Sequence, residues 1–273
     1  MSNGTQPPTT PGANIKIRAV PNLRDLGGWQ TLDGGSVRYG LAFRGIELDK
    51  LQGDDMTAFA NLGIRTVYDL RTEPERTAQP DKYPQGVEYI VVDVLKDATG
   101  AGPAQLMKVL ADPKAAEQML GGGKAVAMFE HGYRQIVSLP SALAGYKLFF
   151  TDLLSEQHRP AYFHCTTGKD RTGWGAAALL TLLGVPDEQV MQEYLLTNEE
   201  LLPAVQPVFD KFASAGGDPE LLRPILGVQK EYLEAAFDEM RQNYGTIQGY
   251  FSQGLGLDKS KQAALRELFV ERG

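Results

Sequence analysis

One ten-residue segment brings together side chains that could do chemistry on an anion. It reads His-Cys-Thr-Thr-Gly-Lys-Asp-Arg-Thr-Gly over residues 164–173 and contains Cys165, the single cysteine of the chain. A loop between a strand and a helix directs its backbone N–H groups into one concavity at the helix N-terminus, and that geometry binds tetrahedral anions. The same positive field lowers the pKa of a thiol and favours the thiolate nucleophile. We therefore predict that Cys165 is a nucleophile.

Three other residues of this segment have types suited to holding a phosphoryl group. Arg171 can bind two phosphoryl oxygens with its planar guanidinium, and Gly168 permits the bend of the backbone. The hydroxyl of Thr172 could donate a hydrogen bond to the sulfur and later to the departing thiolate. A string of the form His-Cys, five residues, Arg and then Ser or Thr should arise by chance in roughly one chain in thousands. A reactive cysteine is therefore a better interpretation than a buried, inert one beside a helix N-terminus.

The elements that must position this loop alternate between strands and helices. The predicted strands are 64–70, 87–95 and 161–164, and the predicted helices are 54–62, 124–138, 141–157 and 172–183. From Pro186 onward the pattern predicts helices and no strand, with one helix ending at Gly245 and a last one near 265–269. Pro203 and Pro207 should interrupt the stretch 201–212. This order predicts an α/β fold with a helical C-terminal extension.

Composition excludes several classes of protein. The chain has 273 residues, 42% hydrophobic, with a formal net charge of -7, which argues against long disorder and against general nucleic-acid binding. One cysteine allows no intramolecular disulfide, and three scattered histidines give no metal constellation. Residues 1–14 are predicted to form a disordered tail. No apolar segment suits a signal peptide or a membrane span, so a cytoplasmic location is the default expectation, with unconventional export left open.

Four motifs carry a resemblance to a known family. The segment HCTTGKDRTG resembles the phosphate loop of cysteine-dependent phosphatases, and its Gly-Lys-Asp-Arg form resembles an atypical bacterial group of tyrosine and lipid phosphatases. Residues 22–28, Asn-Leu-Arg-Asp-Leu-Gly-Gly, are similar to that group's N-terminal motif, with Leu in place of Phe. Residues 69–73 and 226–245 hold the other two motifs. The similarity covers the chain from about residue 20 to its end.

The resemblance implies a cysteine-phosphatase fold, with a central and mostly parallel sheet flanked by helices. It implies one phosphatase domain over 15–273, a helical lid over 187–226, and no cofactor. The implied substrates are phosphotyrosine in proteins, sometimes phosphoserine or phosphothreonine, and phosphoinositides. Cys165 would be the phosphocysteine nucleophile and Arg171 the phosphate clamp. The implied phosphate-binding positions are Thr166, Thr167, Gly168, Lys169 and Thr172, with Lys169 as a second cation at the loop rim.

The general acid is left open by the sequence. Asp170 is the preferred candidate and Asp69 the second, although Asp170 could instead orient Arg24 or Arg71, and Asp69 could pair with an arginine in a buried ion network. Asp93 and Asp97 follow the second predicted strand and are further candidates.

The other polar residues near this segment are expected to have structural roles. Tyr133 is expected on a helix surface, with a place at the pocket wall as the alternative. His164 is expected to brace the loop by hydrogen bonds. Arg24, Asp25 and Arg44 are expected to be structural ion partners.

Rival interpretations fit the segment less well. A rhodanese-like loop is one residue shorter, an arsenate reductase needs further cysteines, and a nucleotide-binding P-loop needs Ser or Thr where Asp170 stands. A rival from another class is a non-catalytic phosphate-binding module used for docking. Its weakness is that both Cys165 and Arg171 are present. The oligomeric state is not indicated by any pattern.

Overall fold

The computed structural model describes residues 10–98 and 112–272 and centres on a five-stranded sheet. Its strands are β1 (Arg24–Asp25), β3 (Ala42–Gly45), β4 (Thr66–Asp69), β5 (Glu88–Val91) and β6 (Ala161–His164), in the order β1-β3-β6-β4-β5. Strands β3, β6, β4 and β5 run parallel, and β1 is antiparallel at one edge. Strand β6 occupies the central position. The predicted mostly parallel sheet of an α/β fold is confirmed.

A second, two-stranded sheet corrects the sequence-based prediction for the C-terminal part. Strand β2 (Gly35–Val37) pairs antiparallel with β7 (Val270–Arg272). No strand was predicted after Pro186, because three residues directly following a helix are too short to show an alternating pattern. The pairing brings together residues more than 230 positions apart in the sequence, so tertiary contact rather than local sequence determines this strand.

Ten helices of six or more residues occur in the described ranges. They are α1 (Gly53–Ala60), α2 (Glu73–Ala78), α3 (Pro113–Leu120), α4 (Lys124–Ser138), α5 (Pro140–Asp152), α6 (Arg171–Leu183), α7 (Asp187–Leu201), α8 (Gln206–Ser214), α9 (Lys230–Tyr244) and α10 (Lys259–Phe269). Shorter turns include Leu202–Val205, Pro219–Leu222, Arg223–Leu226 and a π-helical turn at Tyr250–Gly254. The predicted helix 141–157 was too long, because α5 ends at Asp152 and a separate 3-10 turn follows at Glu156–His158. No helix in the described part is long and apolar enough to cross a bilayer.

Apolar clusters cover both faces of the main sheet. On one face α6 is buried on nearly all sides against the sheet and helix α5, as its small and apolar sequence predicts. On the other face Phe59 of α1 packs against Tyr162 of β6, together with apolar residues of the segment 15–23. The central strand β6 is therefore covered on both sides, and it delivers the loop that follows it to the carboxyl edge of the sheet.

The N-terminal segment is more ordered than the sequence predicts. Residues 1–9 lie outside the described residues, but Gly12 is buried where a Cβ would contact Trp29 and Leu196. Asn14 forms an isolated bridge with Arg24. The predicted disordered tail of 1–14 was therefore wrong for residues 10–14, because contacts with α7 hold them.

The segment 187–226 divides into two parts with different packing. Helix α7 is tied to the main body through the buried residues Glu193, Tyr194 and Thr197. The prolines break the helix as predicted: α7 ends at Leu201, a 3-10 turn follows, and α8 begins at Gln206. Helix α8 and the turns that follow it instead form a separate apolar cluster with α3 and the start of α4.

Candidate active site

The loop 165–170 connects the central strand β6 to helix α6. Cys165 follows the last residue of β6 and is only 1% exposed. Gly168 has φ +66°, and a Cβ there would lie 2.1 Å from the carbonyl oxygen of Gly45. Only glycine fits that position, because it needs both a left-handed backbone and a close approach to β3. The predicted strand–loop–helix context is confirmed.

The carbonyl oxygens of the loop are held from outside. Thr166 O accepts a hydrogen bond from the backbone N–H of Glu47 at 3.2 Å. Gly168 O accepts one from Arg44 Nη2 at 2.6 Å and one from Asn22 Nδ2 at 3.4 Å. No described residue accepts a hydrogen bond from the backbone N–H groups of residues 166–170. These amides are therefore available to an anion.

Arg171 is fixed by a carboxylate that the sequence analysis missed. Its Nη1 and Nη2 donate to Glu75 Oε2 and Oε1 at 2.8 and 2.7 Å, and the Thr166 hydroxyl donates to the same carboxylate. Burial disfavours the Arg171 cation, but the neighbouring Cys165 and Glu75 outweigh it and raise the pKa of Arg171. Glu75 closes a capping box with Thr72 at the start of α2. That Thr-x-x-Glu pattern is readable from the sequence and was the available signal.

Asp170 and Lys169 are held together at the end of the loop. Asp170 Oδ1 accepts hydrogen bonds from Lys169 Nζ and from the Tyr133 hydroxyl, both at 2.8 Å. The Tyr133 hydroxyl also lies 2.6 Å from that of Tyr194. Lys169 Nζ lies 4.1 Å from the ring centroid of Phe129, within the range of a cation–π contact. Asp170 keeps a side-chain exposure of 25%, so it remains accessible from the site.

This geometry bears on three expectations from the sequence. Tyr133 is not on a helix surface but 1% exposed, because α9 and α7 cover that face of α4. The ammonium of Lys169 lies between Asp170 and Phe129 instead of in solvent, and its role as a second phosphate-binding cation stays a prediction. Asp170 orients neither Arg24 nor Arg71, since those side chains have other carboxylate partners.

Asp69 belongs to a buried ion cluster beneath the loop. Arg71 Nη2 lies 2.7 Å from Asp69 Oδ2 and 2.8 Å from Asp81 Oδ2, and Arg71 Nη1 contacts Glu47 Oε2 at 2.8 Å. Burial alone would raise the pKa of Asp69, but His164 and Arg71 outweigh it and lower that pKa below its usual range. Asp69 is also fully buried, so it cannot reach a leaving oxygen from the site. The structure therefore favours the alternative interpretation of Asp69, an ion partner of an arginine, over a role as the general acid.

His164 braces the loop from the same cluster. Its Nδ1 lies 3.0 Å from the carbonyl oxygen of Cys165, and its Nε2 lies 3.0 Å from Asp81 Oδ2. Burial lowers the pKa of His164, but Asp81 and Asp69 outweigh that effect and the pKa is raised. The predicted bracing role is confirmed. In the described ranges, Asp69, Asp81 and His164 form the one group of three or more His, Cys, Asp or Glu side chains whose ligand atoms lie within 4.8 Å of one another. Arg71 already contacts both carboxylates and supplies their counter-charge.

The two remaining acid candidates differ in environment. Asp97 Oδ2 accepts a hydrogen bond from the backbone N–H of Ser141 at 2.7 Å, so Asp97 caps the start of α5. Asp93 follows β5 and is 17% exposed, with Arg76 Nη1 3.9 Å from its carboxylate. Burial raises the pKa of Asp93, against the opposing effects of a hydrogen bond from Leu95 N–H and of Arg76. A half-buried carboxyl group with a raised pKa is better suited to proton transfer than a helix cap.

The structure also places the other residues that the sequence singled out. Arg24 and Arg44 pair with Glu193 and are ion partners as predicted. Asp25 is not an ion partner: it accepts hydrogen bonds from the backbone N–H groups of Gly27 and Gly40, and burial raises its pKa to about 6. The Thr172 hydroxyl is buried in the first turn of α6 without a hydrogen-bond partner among the described residues. Thr167 lies half-buried on the loop.

A central parallel strand, a loop with free amides and an arginine oriented by Glu75 at the next helix together form a site whose donors suit a tetrahedral anion. The sequence model of the tyrosine phosphatase family matches residues 15–271, and the chain belongs to this family. It is 27% identical to a protein of Cupriavidus necator named as a tyrosine-protein phosphatase, over 90% of this chain and 85% of that one. It is 26% identical to the triple specificity protein phosphatase PtpB of Mycobacterium tuberculosis, over 86% and 93% of the two chains. A tyrosine-protein phosphatase of Nostoc commune is also 26% identical, over 82% and 72%. The predicted resemblance is confirmed.

Proposed function

We propose that this phosphatase hydrolyses phosphomonoesters through a phosphocysteine intermediate on Cys165, with phosphotyrosine in proteins as its principal substrate. The observation that carries the proposal is the outward anchoring of the loop carbonyls at Thr166 and Gly168. This anchoring leaves consecutive amides free around the position of Cys165. Backbone donors arranged in advance around developing negative charge are a large source of catalysis.

The proposed reaction has two displacements at phosphorus. The Cys165 thiolate attacks phosphorus while the bond to the ester oxygen breaks, and an aspartic acid protonates the leaving oxygen. Water then displaces the thiolate and releases inorganic phosphate. Arg171, held in a fixed orientation by Glu75, binds the equatorial oxygens with the loop amides. The Thr172 hydroxyl is proposed to donate to the departing thiolate.

We assign the proton transfer to Asp170. Two donors hold its Oδ1 in one orientation, and the group remains partly exposed. Asp93 is the comparison, because its raised pKa favours the protonated form that a donor needs. The same carboxyl group can donate a proton to the leaving oxygen in the first displacement and accept one from water in the second.

A wider substrate range forms the second part of the proposal. Lys169 would contact the additional phosphates of a phosphoinositide if its ammonium left both Asp170 and the Phe129 ring. The name of the Mycobacterium tuberculosis relative, a triple specificity phosphatase, supports more than one class of substrate. We therefore propose phosphoserine, phosphothreonine and phosphoinositides as further substrates.

We also propose that a lid covers the site, and that its moving part is 202–226 rather than all of 187–226. Helix α7 is anchored by the buried Glu193, whereas α8 and the following turns share their apolar cluster with α3 and the start of α4. The prolines at 203 and 207 interrupt the helix between the two parts. Residues 15–273 would then form one domain.

A matched substrate panel tests the proposal. Initial rates are measured for an aryl phosphate, a phosphotyrosine peptide, phosphoserine and phosphothreonine peptides, and a soluble phosphoinositide. We expect turnover of the first two, abolished by Cys165→Ser. Phosphate binding without turnover of any substrate would favour the non-catalytic docking module and contradict the proposal.

A further inference from the structure

A buried triad of charges lies behind the phosphate loop, and of its three members only Arg44 bonds to the loop directly. Glu193 of α7 is 1% exposed, and the two arginines that flank it, Arg24 and Arg44, are fully buried. Glu193 Oε1 accepts hydrogen bonds from Arg24 Nη2 at 2.8 Å and Arg24 Nε at 3.2 Å. Glu193 Oε2 accepts one from Arg44 Nη1 at 2.7 Å. One carboxylate therefore holds two guanidinium groups from β1 and β3.

Both arginines continue to the loop. Arg44 Nη2 donates to Gly168 O at 2.6 Å. Arg24 Nη1 donates to the side-chain oxygen of Asn22, and Asn22 Nδ2 donates in turn to Gly168 O at 3.4 Å. Asn22 has φ +64°, a backbone conformation that asparagine tolerates better than most residues. Every side chain that reaches Gly168 O is thus oriented by a contact with Glu193, directly or through Arg24.

The triad carries one net positive charge, because two cations share one anion. Burial lowers the pKa of Arg24 and Arg44 lowers it further, against the opposing effects of Glu193 and, more weakly, Glu200, so that the pKa falls to about 10. Removing the anion would leave two adjacent cations without a partner in the interior. Breaking a buried ion pair on one side is strongly unfavourable, so the arginines should then reorient.

We propose that Glu193 is a positioning residue for phosphate binding: by fixing Arg24 and Arg44 it holds the Gly168 carbonyl outward and the loop amides toward the phosphoryl group. Glu193 is separated from the loop in sequence by the whole of α6 and touches neither Cys165 nor Arg171. The inference rests on the proposed function, because it concerns the same phosphate site.

The test measures binding of inorganic phosphate by calorimetry, independent of turnover. Glu193→Gln keeps the size of the side chain but removes the charge and points an amide donor at one of the arginines. Loss of hydrogen bonding to a charged group predicts phosphate binding about tenfold weaker. The KM for an aryl phosphate should rise in parallel.

A matched control lies on the same helix. Asn198 of α7 bonds to the backbone of Val228 through both its side-chain atoms and does not contact the loop. Asn198→Ala should lower stability but leave phosphate binding within about twofold of the parent. Circular dichroism establishes that each variant is folded at the temperature used.

A second variant covers the case in which Glu193→Gln does not fold. Arg44→Lys keeps a cation beside Glu193, but a single ammonium cannot also replace the bond to Gly168 O. We expect the same weakening of phosphate binding. Unchanged phosphate binding in a folded Glu193→Gln or Arg44→Lys variant would overturn the inference, as would an equal loss in Asn198→Ala. A parent protein that binds no phosphate would contradict the proposed function itself.

Discussion

Replacing Glu75 by Gln tests the most specific electrostatic feature of the site. The Glu75 carboxylate binds Arg171 with both oxygens and accepts further hydrogen bonds from Thr72 and Thr166. Burial would raise the pKa of Glu75, but Arg171 and the two hydroxyl groups outweigh it and lower the pKa to about 2. A depressed pKa means that ionised Glu75 stabilises the fold above the unfolded-state value of 4.5 and loses this effect as the pH falls toward 2.

The size of the effect follows from that difference in pKa. A pKa of about 2 in the folded state against 4.5 in the unfolded state corresponds to roughly 3 kcal/mol of stability at neutral pH. At about pH 3 the same relation leaves roughly 1 kcal/mol, because the carboxyl group of the unfolded chain is then mostly protonated while that of the folded protein is still mostly ionised. Glu75 is only 8% exposed, so solvent screening does not reduce these values strongly.

The assay is urea unfolding at pH 7 and pH 3 of the parent, Glu75→Gln and Glu73→Gln. Glu73 lies in the same first turn of α2 and is exposed, so its replacement makes the same charge change without touching Arg171. We expect the stability difference between the parent and Glu75→Gln to shrink by about 2 kcal/mol from pH 7 to pH 3. Glu73→Gln should show little change. A Glu75→Gln difference that is the same at both pH values would refute the electrostatic account.

Three further outcomes follow from the site. Asp170→Asn should slow hydrolysis of substrates with basic leaving groups by a factor of about 10²–10⁴ and that of activated aryl phosphates much less. If Asp93→Asn shows this dependence on the leaving group instead, Asp93 is the general acid. Tyr133→Phe removes one hydrogen-bond donor to Asp170 and should lower kcat/KM for the substrates with basic leaving groups by the equivalent of about 1–2 kcal/mol. Equal losses on all substrates would contradict this role of Tyr133. Lys169→Ala should reduce phosphoinositide hydrolysis more than aryl phosphate hydrolysis, and equal reductions would assign Lys169 to the general field of the loop.

Much of the fold could be predicted because its signals are local. The strand at 161–164, the small and apolar helix α6 and the two proline interruptions all have patterns within a few residues. The short strands β2, β3 and β7 have no such pattern. Strand β3 even contains the charged Arg44, which is buried only because Glu193 approaches it from α7.

The candidate site also has one part that the sequence predicts and another that it does not. The loop and its flanking residues were predictable from spacing, because one strand–loop–helix contains them all. The partners of its charged groups were not, since Glu75 and Glu193 come from helices distant in sequence. Asp69 and Asp170 look equivalent as acidic residues near strand ends. Only the folded structure separates them: Asp69 is fully buried against Arg71, whereas Asp170 pairs with Lys169 and keeps a side-chain exposure of 25%.

The central claim is that the phosphoryl group passes through Cys165. The most direct measurement is rapid denaturation during turnover of a phosphotyrosine peptide, followed by mass spectrometry of the peptide that contains residues 164–173. We expect a phosphoryl group on Cys165 at a level that rises with substrate and is absent from Cys165→Ser. A phosphoryl group on another residue, or a folded Cys165→Ser variant that still turns over the peptide at the parent rate, would contradict the account.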